Sequence, residues 1–163
     1  MYKKSIIVFI ALLALVLGTT GCFVKKTPLP VTQSSQRTQV SGTPVPDQGT
    51  VNGIEYSINY GDYNYYKNKK IGYFVDTLDE PNSPFIVTIT QGEKPSGGYS
   101  VRVVGIDVDA SNTVTITVDF VSPGEGSEVT AAMTYPGCVI NFRPQPSNVV
   151  VQNTAGVKLE RLS

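Results

Sequence analysis

Asp107 with Asp109, and Glu125 with Glu128, are the carboxylate pairs whose spacing could bring two acids together. A general acid and a general base need a fixed separation and opposed pKa values. One pair instead sits on a strand-like run, as a solvated face, and the other in a glycine-rich loop. The chain has no histidine, so His-activated nucleophiles, imidazole base catalysis and His metal ligation are excluded. Its two cysteines, Cys22 and Cys138, are too few for a thiolate zinc site, and no acidic calcium loop is present. Gly97-Gly98 lacks the spacing and the following helix of a phosphate or dinucleotide loop. No catalytic residue, metal or cofactor is therefore expected. What remains is contact chemistry. In QGEKPSGGYSVRV (91–103), Lys94, Pro95, Ser96, Gly97, Gly98 and Tyr99 form a candidate turn or interaction motif. Tyr63, Tyr65 and Tyr66, set among Asn, Asp and Lys, are candidate exposed aromatics, able to touch a partner or stack on a glycan.

The elements that carry these residues repeat with a period of two. Ile54, Tyr56, Ile58 and Tyr60 alternate with polar residues and predict a strand with all four on its buried face; 71–77 and 84–90 predict two more. After the glycines, Tyr99, Val101 and Val103 share one face, with Tyr99 a core plug at the start of the strand. The apolar set then changes sides at Ile106 and Val108, so a bulge is expected at Gly105. Gly97 and Gly98 are both expected to use positive φ in reversing the chain. Residues 109–112 read as a tight hairpin into the clearest strand, 113–120. SPGEGSE (122–128) reads as a wide loop, with Val129, Ala131 and Met133 restarting a half-buried strand. Cys138, Ile140 and Phe142 share a further strand face, and 149–152 with 157–162 reads as a final hairpin turning at 153–156. About seven to nine short strands at roughly ten-residue spacing predict an all-β domain, a single compact antiparallel β-sandwich or partly open barrel.

Upstream of the domain, Lys3 and Lys4 precede an apolar run, Ile6 to Leu17, too short for a spanning helix of about 20 residues. The small residues Thr19, Thr20 and Gly21 lead directly to Cys22. This resembles the lipobox of bacterial lipoproteins, so 1–21 is expected to be a lipoprotein signal peptide and Cys22 the lipidation site. Residues 22–48, rich in Thr, Ser, Gln and Pro, then read as a disordered tether, and 49–163 as the folded domain. The resulting expectation is an extracytoplasmic protein, lipid-anchored to the bacterial cell membrane. It leaves Cys138 as a buried free thiol. Thr19 also fits ordinary secretory cleavage; with Cys22 unacylated the protein is secreted, and a bridge from Cys22 to Cys138 becomes possible. The chain has 13 basic and 13 acidic side chains and no basic cluster, which excludes nucleic acid as a partner.

Three segments carry a family likeness. Gly92, Lys94, Pro95, Gly97, Gly98 and Tyr99, with Ser96 where Thr is usual, then Ser122-Pro123-Gly124, then Thr134-Tyr135-Pro136 resemble the C-terminal domain of PrcB-family proteins, across residues 84–143. The family is named for a lipoprotein subunit of a surface protease complex. Upstream, tyrosines between 56 and 73 stand where a tryptophan-containing segment is often found. The resemblance implies an exported, non-catalytic interaction protein that stabilises or regulates a surface protease, with an exported protease or other surface protein as partner. A cell-surface carbohydrate-binding module using Tyr63, Tyr65 or Tyr66 is the alternative that the loop tyrosines allow.

Overall fold

Alternating apolar residues fold here into two packed sheets. The computed structural model describes residues 42–63, 69–77 and 83–163, all within the unit Thr38–Ser163. Its strands are β1 (Gln48–Val51), β2 (Ile54–Asp62), β3 (Gly72–Thr77), β4 (Phe85–Thr90), β5 (Ser100–Val108), β6 (Thr113–Val121), β7 (Pro136–Arg143) and β8 (Asn148–Asn153). The first sheet has the order β1-β2-β7-β4-β3 and the second β5-β6-β8. This is the all-β, partly open sandwich that the periodicity predicts. Neighbours pair antiparallel except β6 and β8, which run parallel.

The inner faces follow the alternation. Ile58 lies opposite Ile140 and Tyr56 opposite Phe142, Ile89 lies opposite Cys138, and all of these are buried. Val101, Val103, Ile106, Val114, Ile116, Val118 and Val151 close the core from the second sheet. Polar outer positions pair with each other, as in Glu55 opposite Arg143 and the 2.7 Å ion pair of Arg102 with Asp119. The expected bulge is present, as a register shift between Val103 and Gly105. It brings Val103 and Ile106 onto the same core although they differ by an odd number of positions. The 109–112 hairpin is also present: the Asp109 carboxylate accepts the N–H groups of Ser111 and Thr113 at 2.8 and 2.9 Å. Asp109 therefore caps a turn beyond β5 and does not share a strand face with Asp107.

Several expectations are corrected. Val129, Ala131 and Met133 form no strand, and all three are exposed. The turn at 153–156 is present, with the Gly156 N–H donating to the Asn153 carbonyl and the Asn153 N–H to the Val157 carbonyl, both at 2.9 Å. Residues 157–162, however, form isolated bridges and no strand, Gln152 to Lys158 and Tyr73 to Arg161. The last segment is thus a strap that leaves β8 and ends against β3. Tyr60 is 40% exposed, not core: it still lies opposite Cys138 of β7, but β2 has there run past β1, whose pairing stops at Ser57, and its hydroxyl accepts the Val103 N–H at 3.3 Å. Ordered packing also reaches upstream of Gly49. Val45 packs against the core, and its N–H donates to the Val103 carbonyl at 2.9 Å. The hairpin that follows turns on Asn52 and Gly53, with φ of 48° and 83°, the two-residue turn whose twist matches its strands.

Candidate functional site

The segment 91–99 leaves β4 in the first sheet and enters β5 in the second, while 122–135 returns from β6 to β7. Because β4 pairs with β7 and β5 with β6, the two crossings run side by side and form a corner between the sheets. Their backbones are joined. Lys94 and Thr134 exchange N–H to carbonyl bonds of 2.9 and 3.0 Å, and the Gly97 N–H donates to the Thr130 carbonyl at 2.9 Å. The Thr134 hydroxyl donates to the Ser96 carbonyl at 2.7 Å. The three motifs, separate in sequence, are one structure: Gly98 sits so close to Pro123 and Val129 that a Cβ on it would stand 2.9 Å from both.

This corner decides the roles of the motif residues. Gly98 has φ of +83° while Gly97 is not in the left-handed region, so only one of the two glycines supplies the conformation expected of both. The strand starts at Ser100, one residue later than expected, and Tyr99 is half-buried instead of a core plug. Its ring lies under the Lys94 ammonium, 5.5 Å from the centroid, a cation–π contact. Pro95 is exposed at the tip, and the Ser96 hydroxyl bonds locally to the Gly97 carbonyl at 3.2 Å. The corner's outer surface carries Val129 and Met133, 40% and 56% exposed, next to the exposed Glu125 and Glu128.

Tyr63 joins the same end of the sandwich. Its N–H donates to the Tyr135 carbonyl at 2.9 Å, its hydroxyl donates to the Asn59 carbonyl at 2.7 Å, and its ring lies against Gly137. Burial pushes its hydroxyl pKa up. With ring half-buried and hydroxyl committed internally, Tyr63 offers only part of a stacking face. Tyr65, Tyr66 and Cys22 lie outside the described residues.

Sequence reasoning missed three members of the corner. The Glu93 carboxylate accepts the Tyr135 hydroxyl at 2.7 Å, and this bond to a charged acceptor pushes the Tyr135 pKa up. Asp62 accepts the Tyr135 N–H at 3.0 Å. Gln91, only 3% exposed, donates its side-chain amide to the Val121 carbonyl at 3.3 Å, whereas its Oε1 is buried without a partner. The signal available was the β4–β7 pairing itself, which places Glu93 and Tyr135 just past facing strand ends. Among the described residues no group of three or more His, Cys, Asp or Glu could hold a metal, and none of their helices is long and apolar enough to cross a membrane. Each carboxylate named above is engaged in a turn, in an ion pair or with Tyr135, or else lies in open solvent. The arrangement can bind through a fixed surface.

No curated protein and no solved structure matches the chain. Residues 85–143 match the family model described as PrcB C-terminal. That stretch runs from the first residue of β4 to the last of β7, so the likeness to this family belongs to one bent ribbon, the corner and the four strands it joins.

Proposed function

We propose that the protein is an exported, lipid-anchored, non-catalytic interaction module that contacts a surface protease through the β4–β5 and β6–β7 corner and stabilises or regulates it. The supporting observation is the corner. The family-matched segment pins its backbone through Lys94, Gly97, Thr130 and Thr134 while presenting Val129 and Met133 to solvent, as a contact surface requires. Anchorage at Cys22 rests on the Thr19-Thr20-Gly21-Cys22 pattern behind the short apolar run.

The test is co-purification from intact cells after mild cross-linking. An exported protease should be recovered with the wild-type chain and lost with a Val129→Asp/Met133→Asp double variant of unchanged melting temperature. Recovery of no specific partner, or equal recovery with the double variant, would sink this reading. Acyl-chain labelling of the full-length chain, abolished by Cys22→Ala, tests the anchor separately.

A further inference from the structure

At the other end of β4 from the corner, the two sheets part between the edge strands β3 and β8. The gap there is a cleft of about 300 Å³ lined by Tyr73, Val75, Phe85, Asn148, Val149 and Arg161, among others. Part of the gap is already filled by the chain's own strap. The Leu159 N–H donates to the Val151 carbonyl at 2.8 Å, and the Asn153 N–H donates to the Val157 carbonyl at 2.9 Å. The strap then crosses to β3, where the Tyr73 N–H donates to the Glu160 carbonyl at 3.0 Å and the Leu162 N–H to the Tyr73 carbonyl at 2.8 Å. These bonds show which way each edge faces. N–H and carbonyl directions alternate along a strand. Since Tyr73 points away from β4, Val75 and Thr77 do too; since Val151 points away from β6, so does Val149. Beyond the strap, the main-chain groups of Val75 and Val149, two residues that line the cleft, have no hydrogen bond among the described residues.

We infer that this cleft is a strand-docking site for an extended peptide segment of a partner protein, pairing parallel to β3 in continuation of the strap and presenting one apolar side chain flanked by a carboxylate. Three observations carry it. The strap's parallel bridge, Tyr73 to Arg161, sets the direction and register for a strand continuing along the same edge. Val75, Phe85 and Val149, packed at the rim of the core, form an apolar patch in a lining that Ser147, Asn148 and Arg161 otherwise make polar, which suits one inserted side chain of an alternating strand. The Arg161 guanidinium at the cleft is exposed and has no carboxylate partner among the described residues, so the site is complementary to negative charge. Main-chain bonds supply affinity and the pocket supplies selection, as in other recognition by strand addition.

The experiment is selection of a displayed library of random peptides on the full-length chain, with hydrogen exchange of the complex. Enrichment of alternating apolar sequences containing Asp or Glu is expected, with slowed exchange at the Val75 and Val149 amides. Val75→Pro should lower affinity at least tenfold without loss of fold, since an edge strand tolerates Pro where the N–H points outward. Thr77→Pro gives the same reading if Val75→Pro does not fold. Arg161→Glu should change the selected peptides from acidic to basic. The inference is overturned by no enrichment, by protection confined to the 91–99 and 122–135 loops, or by peptides that bind both proline variants as well as wild type. Self-association lost in Val75→Pro would also overturn it, because a second copy of the chain would then be the occupant.

Discussion

Gly98 and Cys138 show how single atoms set the tolerances of this fold. At Gly98 an added Cβ meets both an unfavourable φ and two close carbons, whereas at Gly97 the nearest atom would be 3.6 Å away. Gly98→Ala should therefore lower stability by about 1 kcal/mol or more, while Gly97→Ala should change it by less than about 0.5 kcal/mol. Urea midpoints of the two variants check the contrast, and equal losses would contradict the assignment of the turn. Cys138 is a free thiol, and burial pushes its pKa from 9.0 up to about 12. The unfolded chain therefore releases this proton first. The thiol's contribution is intact below pH 9 and is lost as pH rises toward 12. Urea midpoints of the wild type should fall between these limits more steeply than those of Cys138→Ala. A residue's type and neighbours announced the buried thiol; the unequal glycines did not show, because the atoms that crowd Gly98 belong to Pro123 and Val129, distant in sequence.

Among the elements, those whose period and partner agree were legible. Residues 113–120 alternate cleanly and are flanked on both sides by strands, so β6 forms where the pattern puts it. Val129, Ala131 and Met133 alternate as well, yet form no strand. A strand needs a neighbouring strand, and this segment instead bonds to the 91–99 crossing, through Thr130 to Gly97 and through Thr134 to Lys94. The parallel run of β8 was equally hidden, since period two specifies faces and not direction. β1 could have been found, because Asn52-Gly53 is a hairpin signal in its own right. At this scale Thr134→Val removes the hydroxyl that donates to the Ser96 carbonyl. Such a loss should lower stability by about 1 kcal/mol. It should also speed hydrogen exchange of the Lys94 and Gly97 amides while leaving β2 protected. Unchanged exchange at those two amides would show that the corner is held without Thr134.

For the whole molecule, the strap ties the β3 edge of one sheet to the β8 edge of the other, bonded to Val151 on one side and Tyr73 on the other. Gly72 makes room for it: a Cβ there would stand 2.7 Å from the Glu160 carbonyl oxygen and from the Leu162 side chain. Gly72→Ala should displace the strap and lower stability by about 1–3 kcal/mol. Cleavage within 157–163 should then quicken under limited proteolysis, before any cut in β4 or β7.

The sheet order carries a further consequence. β2 has its long partner in β7, with Tyr56 opposite Phe142, and β7 also supplies the neighbour of β4. Until β7 is available, β1 and β2 are an isolated hairpin, which is marginal in water. A chain exported as proposed, N-terminus first, thus cannot lock its leading half in a folded state, and stays threadable until most of its length has crossed. Folding dominated by such distant pairings is slow, on the order of milliseconds to seconds. The ribbon 85–143, closed by its own 109–112 turn, is the part that can assemble earliest and give β2 a place to dock.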